Sequence, residues 1–188
     1  MTDTRTFTAL MDQGTALHAA GRAAQALIQF EQARAIDPAN TRAASACATV
    51  LSELGQPQAA MQVLQPLRAE LMQDADGATN YAIIAETLGH TDDAILAYTQ
   101  VLALDPCHLR ALNNRALMSA QAGDWNVAID GLNQCRDLQP DNPAAWLNLA
   151  DIQIGARNFA DARQTVHLAL ARFPGAPAFL MRQAITLA

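Results

Sequence analysis

Three asparagines recur at a constant interval along the chain. They are Asn80, Asn114 and Asn148, and the step from the first to the second equals the step from the second to the third. A carboxamide both donates and accepts hydrogen bonds, so it can pair with a peptide group whatever side chain accompanies that group. Asparagine is a mediocre helix former, and helix propensity alone would not select three of them in one register. The spacing favours a binding role over the alternative, which is three solvated residues on exposed helix faces.

Side chains suited to catalysis or metal binding show no comparable pattern. The histidines and cysteines are scattered: His18, His90, His108, His167, Cys47, Cys107 and Cys135. None forms a metal-ligand pair at helical spacing, and three distant cysteines make neither a disulfide framework nor a zinc site. We expect reduced thiols, no metal, no cofactor and no catalytic residues. A hydrolytic pair among the scattered carboxylates is the less favoured alternative, so the chain is predicted not to be an enzyme.

The interval that separates the asparagines organises the whole sequence. It relates Gly21, Gly55, Gly89 and Gly123, and it also relates Ala26, Ala60, Ala94, Ala128 and Ala162. Pro38, Pro106, Pro140 and Pro174 follow the same register. Such self-similarity is typical of repeat proteins. It predicts five repeats over 7–40, 41–74, 75–108, 109–142 and 143–176, followed by a C-terminal helix over 177–188, within a single domain over 1–188.

Each repeat reads as two amphipathic helices, A and B, joined by a short turn. The glycine column marks a left-handed cap after helix A, and the proline column ends helix B. Small residues at Gly14, Ala48, Ala82, Ala116 and Ala150 would let helix A approach helix B closely. Two repeats depart from the pattern. Pro66 falls inside a predicted B helix and should bend it, and Arg157 replaces the expected glycine.

These residues resemble the tetratricopeptide-repeat (TPR) family. The pattern is fullest in the last two repeats, at Ala128, Leu132, Cys135 and Pro140 and at Ala162, Val166, Ala169 and Pro174. The resemblance implies an all-α fold, a right-handed alpha-alpha superhelix of five helix-turn-helix repeats plus a C-terminal helix. It also implies that the A helices line a concave groove that takes an extended peptide of another protein.

Within that resemblance, the three asparagines are similar to the asparagine ladder of the O-linked N-acetylglucosamine transferase solenoid. There, such side chains hold the backbone of a bound peptide. The predicted groove residues are Asn80, Asn114, Asn148, Asn113, Arg110, Gln121, Asp151 and Arg42. Asp12 and Ala46 occupy the ladder position in the first two repeats and interrupt it. A carboxylate clamp of the kind that grips chaperone tails is not expected, because the chain has no lysine.

The C-terminal helix is predicted to pack through Leu180, Ala184 and Leu187. Phe179, Met181 and Ile185 would then face outward, which is unusual for a repeat that caps an array. This face suggests either that more protein follows the chain or that a second copy covers it as a homodimer.

Charge and hydropathy limit the class of partner. The net charge is −6 and all twelve basic residues are arginine, which suits neither nucleic acid nor anionic lipid. No apolar stretch is long enough to cross a membrane, and the N-terminus lacks a secretory pattern, so a cytoplasmic location is expected.

Three functions remain open. The leading one is a cytoplasmic, non-catalytic scaffold for protein–protein interaction. The second is the N-terminal recognition part of a larger bacterial enzyme of the glycosyltransferase, sulfotransferase or hydroxylase type, by analogy with the family alone. The third is a homo-oligomeric assembly protein that associates through the C-terminal helix.

Overall fold

The protein is all-helical, as predicted. A computed structural model describes residues 2–187, with side chains described from residue 4 to residue 186. The helices are α1 (Thr2–Ala19), α2 (Ala23–Ile36), α3 (Thr41–Glu53), α4 (Pro57–Leu64), α5 (Arg68–Leu71), α6 (Ala75–Thr87), α7 (Thr91–Leu104), α8 (Leu109–Gln121), α9 (Trp125–Leu138), α10 (Pro143–Gly155), α11 (Phe159–Arg172) and α12 (Pro177–Leu187). No strand occurs between residues 2 and 187.

The chain divides into two compact units, Met1–Asp105 and Pro106–Ala188. We refer to them as the N-terminal unit, with α1 to α7, and the C-terminal unit, with α8 to α12, and describe each by itself. Within them, the predicted A and B helices pack as hairpins, namely α1 with α2, α3 with α4, α6 with α7, α8 with α9 and α10 with α11. The expectation of one domain over 1–188 stays a prediction.

Most A helices begin at a side-chain cap. The side chains of Asn40, Asp74 and Asn142 each accept a hydrogen bond from a backbone N–H two or three residues later, over 2.8–3.1 Å. His108 does the same for α8 through Nδ1, over 3.2 Å. These bonds satisfy N–H groups that have no partner inside the helix, which fixes where each A helix starts.

The turn between helix A and helix B requires a left-handed residue. Gly21, Gly55, Gly89 and Gly123 have φ between 73° and 91°. Arg157 occupies the equivalent position in the fifth repeat and adopts φ of 59°, the positive-φ non-glycine in the described chain. The turn is therefore set by the packing of the two helices, and an L side chain is forced into a conformation that costs about 1 kcal/mol.

Close contact between helices A and B requires small residues at the positions where the helices meet. Ala48, Ala82, Ala116 and Ala150 are fully buried. At Gly14 on α1, an added Cβ would lie 2.5 Å from the ring of Phe30 on α2. Because ring and backbone already touch, no larger residue fits, and the predicted role of the small-residue column is confirmed.

Pro66 interrupts the second B helix, as predicted. Helix α4 ends at Leu64, a 3-10 turn covers Gln65–Leu67, and α5 resumes as Arg68–Leu71. The detour presses the buried Leu71 onto α6. A Cβ at Gly77 would lie 3.0 Å from the Leu71 carbonyl oxygen, so glycine is required at this point of close approach.

The packing predicted for α12 was wrong by one position. Phe179 is buried, at 1% exposure, and its ring stacks on Phe173 with a centroid distance of 5.8 Å. Leu180, expected inside, is 48% exposed, and Ala184 is exposed as well. Met181 and Ile185 face outward as expected. The predicted packing of Leu187 falls outside the side chains that the structure describes.

Leu180 and Ala184 are exposed because no B helix covers them within residues 2–187. Leu112 and Ala116 of the α8–α9 hairpin occupy the positions equivalent to Leu180 and Ala184 two repeats earlier, and they face Gly131 of helix B. Helix α12 contacts α10 and the preceding B helix α11, but no B helix follows it in the described chain as α9 follows α8. The positions equivalent to Phe179 in the four preceding repeats, Ala43, Gly77, Ala111 and Ala145, are buried as well. Helix α12 therefore buries the same face against its predecessors and leaves Leu180 and Ala184 uncovered.

Two of the three cysteines are core residues. Cys47 is fully buried and Cys135 nearly so, whereas Cys107 is exposed. Burial raises the pKa of the Cys47 thiol from 9.0 to about 11, and the neighbouring Arg34 opposes this rise only in part. Burial also raises the pKa of Cys135. Both thiols are thus protonated and shielded at neutral pH, as expected for small core residues.

We expect Arg157→Gly to stabilise the protein by about 1 kcal/mol, because glycine adopts positive φ without the clash of a Cβ. In a chain of this size that corresponds to a rise in Tm of about 2–4 °C in thermal unfolding followed by circular dichroism. The matched control is Gly123→Arg, which places arginine at the same position one repeat earlier and should lower Tm. An unchanged or lower Tm for Arg157→Gly would contradict this account.

The thiols should differ in reactivity with a disulfide reagent such as DTNB. Cys107 is expected to react at once, and Cys47 only as fast as the protein opens. A pKa raised from 9.0 to about 11 also leaves roughly a hundredfold less thiolate at Cys47. Cys107→Ser should remove the fast phase of the absorbance change. Prompt reaction of all three thiols in the folded protein would refute the assignment of Cys47 and Cys135 to the core.

Candidate functional site

In the N-terminal unit, two consecutive A helices border a cavity of about 420 Å³. Helix α3 contributes Arg42 and α6 contributes Asn80, so the structure brings these two predicted residues together. Asp76 on α6 faces the same cavity. Ala46, which interrupts the asparagine ladder, also lines it with no more than a methyl group. Asp74, the cap of α6, lines it too, so the cavity combines one cation, two carboxylates and one carboxamide.

The equivalent surface of the C-terminal unit lies between α8 and α10. Arg110, Asn113 and Asn148 line a cavity of about 270 Å³ there. Asn148 Nδ2 donates a hydrogen bond of 2.8 Å to Asn113 Oδ1, and Asn113 Nδ2 donates one of 3.2 Å to Asn114 Oδ1. Three predicted asparagines are thus joined in one chain of hydrogen bonds, which we call the asparagine chain.

The asparagine chain is partly buried and is oriented by its own hydrogen bonds. Bonded amides hold a fixed direction, so Asn148, the end of the chain that lines the cavity, is presented to it without a further loss of side-chain freedom. Asn148 Oδ1 accepts no hydrogen bond in the described chain, and Arg110 pairs with no described carboxylate. An acceptor and a set of cationic donors therefore line the same cavity.

Two predicted groove residues are placed differently. Both carboxylate oxygens of Asp151 accept hydrogen bonds from Arg182 on α12, over 2.7 and 2.8 Å. Asp151 therefore holds α12 and has little capacity left for a ligand. Gln121 ends α8 and is exposed. It lies eight residues after Asn113, or about 12 Å along the helix axis, and so stands apart from the cavity.

The structure also shows neighbours that the sequence analysis missed. Asp76 lines the cavity of the N-terminal unit, and Asn142 and Gln139 line that of the C-terminal unit. Asn142 bonds Gln139 over 2.9 Å while it caps α10. The sequence does hold a signal for the Asn113–Asn148 hydrogen bond. Asn148 lies one position after residue 147, which is the residue equivalent to Asn113 in the next repeat.

Other reactive groups of the described chain do not assemble into a metal centre. Within residues 2–187, no three His, Cys, Asp or Glu side chains come together as metal ligands do. His18 Nε2 lies 2.7 Å from Glu53 Oε2 in a single surface contact, and His108 serves as a helix cap. In the same part of the chain, none of the helices combines the length and the apolar character that a membrane span needs.

Comparison with protein families finds repeats throughout this architecture. Two family profiles, both described as tetratricopeptide repeat, match the chain. One matches residues 17–82 and 119–184, and the other matches residues 82–135. Together they cover the hairpins from the end of α1 to α12.

Several solved structures share this fold. MamA superposes with a TM-score of 0.81 at 18% identity, over 90% of this chain and 92% of MamA. The pilF protein of Pseudomonas aeruginosa gives 0.78 at 21% identity, over 99% and 85%. YrrB, described as a TPR protein with an unusual peptide-binding site, gives 0.80 at 14% identity, over 93% and 90%.

Identities of this size indicate a shared fold and carry no ligand from one protein to another. The family profiles are stronger evidence, because they span the same repeats in which the glycine caps and small residues described above recur. On the profile matches over most of its length, and in agreement with its helical hairpins, this chain belongs to the tetratricopeptide-repeat family.

Proposed function

We propose that this chain is a non-catalytic protein-interaction scaffold that binds an extended peptide segment on the surface of its A helices. Proteins of this family generally serve as scaffolds for other proteins, and repeat arrays offer extended surfaces for that purpose. The observation that carries the proposal is the asparagine chain, which joins two A helices beside a cavity.

The chemistry of that cavity suits a peptide backbone. Asn148 Oδ1 is an acceptor for a peptide N–H, and Arg110 is a donor for a peptide carbonyl or a carboxylate. Each hydrogen bond of this kind contributes about 0.5–1.5 kcal/mol net. Because the amides pair with backbone groups, affinity should depend weakly on the ligand's side chains.

The cavity of the N-terminal unit has different chemistry and adds selectivity. Arg42 and Asp76 carry opposite charges there, and neither forms an ion pair in the described chain. We propose that Asn80 contacts the peptide backbone in this cavity while the two charges select complementary side chains. A ligand with both acidic and basic residues fits it best.

The double variant Asn113→Ala/Asn148→Ala tests the asparagine chain. Peptides that bind the wild type would first be selected from a displayed library of unstructured segments. Their affinities, measured by fluorescence polarisation, should fall about tenfold in the variant, since about 1.4 kcal/mol of hydrogen bonding is lost. The loss should be similar for all selected peptides, because the amides pair with the backbone.

Asn126→Ala is the matched control, because Asn126 is an exposed asparagine on α9 of the same unit. Its affinities should equal those of the wild type. If the double variant binds the selected peptides as tightly as the wild type, or if the library yields no binder, the groove proposal fails.

Self-association through α12 is a second candidate. Leu180, Met181 and Ile185 are all about half exposed or more. The positions equivalent to Leu180 and Ala184 are covered by a B helix in the α8–α9 hairpin. We propose that α12 of a second copy covers this face in a homodimer.

The buried, separate thiols of Cys47 and Cys135 fit a reducing compartment, and we propose a cytoplasmic location.

Light scattering on size-fractionated protein tests this second candidate. Wild type is expected to have the mass of a dimer and Ile185→Glu that of a monomer, because a carboxylate would be buried in the interface. Ala171→Glu, at an exposed position of α11, makes the same change in charge and should remain dimeric. A monomeric wild type rejects the homodimer and leaves the peptide scaffold untouched.

A further inference from the structure

A second polar cavity lies on the side of the C-terminal unit away from the asparagine chain. The B helices α9 and α11 form its walls, and Gln153 of the A helix α10 borders it from beneath. Its volume is about 190 Å³, roughly that of six waters at ~30 Å³ each. Asp161 and Thr165 of α11 also line it, together with the apolar Ile129 and Leu168.

Gln153 is the unusual residue of this cavity. It is only 4% exposed, and its Oε1 atom is buried without a hydrogen-bond partner in the described chain. The equivalent positions in the four preceding repeats are Leu17, Leu51, Ala85 and Ser119. Packing therefore does not demand a carboxamide here. A buried acceptor without a donor destabilises the fold unless another group supplies that donor.

The cavity is also lined by donors, namely Arg136, Asn133, Gln164 and the hydroxyl of Thr165, yet none of them bonds Gln153 Oε1. Arg136 lines the cavity, but its Nε donates to Asp137 over 2.9 Å and its guanidinium lies 5.5 Å from the centre of the Trp146 ring. Asp161 receives one side-chain hydrogen bond, of 2.7 Å, from Asn158 to Oδ2. Two acceptors of this cavity thus remain unfilled in the described chain, namely Gln153 Oε1 and the second oxygen of Asp161.

We propose that this cavity binds the side chain of an arginine from a partner protein. A guanidinium has five N–H donors and no acceptor, so it supplies what both unfilled oxygens need. Its planar faces are weakly hydrated and can lie against Ile129 and Leu168 while its edges donate to Gln153 and Asp161. An ammonium group is a compact and strongly hydrated charge, and it gains less in a cavity with apolar walls.

The site is separate from the proposed peptide groove. It lies between B helices, whereas the asparagine chain joins the A helices α8 and α10. It goes beyond the proposed function, because it assigns a second contact to the scaffold and a residue type to its partner. Each site has its own ligand and its own measurement, so the two proposals succeed or fail independently.

The probe is N-acetylarginine amide, titrated into ¹⁵N-labelled full-length protein and followed by ¹H–¹⁵N correlation spectra. The side-chain amide of Gln153 and the backbone amide of Thr165 should shift in a saturable manner. N-acetylcitrulline amide has nearly the same shape without the charge, and it should bind about tenfold more weakly. N-acetyllysine amide with a free ε-ammonium should also bind more weakly than arginine.

Two variants assign the effect to the cavity. Gln153→Leu introduces the residue of positions 17 and 51; it should raise Tm, because a buried unpaired acceptor is removed, and weaken arginine binding about tenfold. Asp161→Asn should weaken it by a similar factor while retaining well-dispersed spectra. The double variant Asn113→Ala/Asn148→Ala should bind the probe as the wild type does.

Three outcomes overturn the proposal. The first is the absence of saturable shifts at Gln153 and Thr165, which would mean that water alone fills the cavity. The second is equal affinity for arginine and citrulline, which would remove the role of the cation. The third is unchanged arginine binding in both Gln153→Leu and Asp161→Asn. None of these results bears on peptide binding at the asparagine chain, which the affinities of the selected peptides measure separately.

Discussion

The rest of the structure depends on the close approach of helix A to helix B within each hairpin. A single amphipathic helix of about 13 residues has one buried face and is not stable alone. Small residues on facing sides of the two helices let the backbones come together, as the contact between Gly131 and Ala116 shows. The turn that joins the helices must then be tight, and this requirement places the left-handed residue after helix A. It holds even where arginine has to adopt that conformation, at Arg157.

Departures from this arrangement account for the individual features of the chain. Pro66 breaks a B helix, and Gly77 becomes necessary because the detour brings the Leu71 backbone onto α6. No B helix follows α12 in the described chain, so Leu180 is exposed while Phe179 is buried against the preceding helices. In both places a local change in the A–B contact is compensated by a residue on the neighbouring helix. The repeat thus tolerates irregularities provided that each hairpin remains packed.

Hairpin packing leaves two kinds of polar surface, to which we assign the two proposed binding roles. On the A helices, polar residues stand outside the packed stripe, and in the C-terminal unit three of them form the asparagine chain. Between the B helices α9 and α11, a cavity extends to a buried position of the A helix α10. Gln153 occupies that position where other repeats have apolar or small residues. The first surface offers amides with fixed directions and the second offers unfilled acceptors, so the two suit different groups of a partner.

The sequence by itself determined the repeat, the ends of the hairpins, the small-residue contacts and the break at Pro66. Those features depend on backbone conformation and residue volume, which glycine, proline and alanine reveal locally. It also indicated the polar positions of the A helices. Only the tertiary structure decided which of them meet: Asn113 bonds Asn148, whereas Asp151 is held by Arg182. It likewise decided which residues of α12 are covered and that Gln153 Oε1 has no donor in the described chain. Both depend on which side chains lie alongside, and a periodic sequence pattern does not reveal those neighbours.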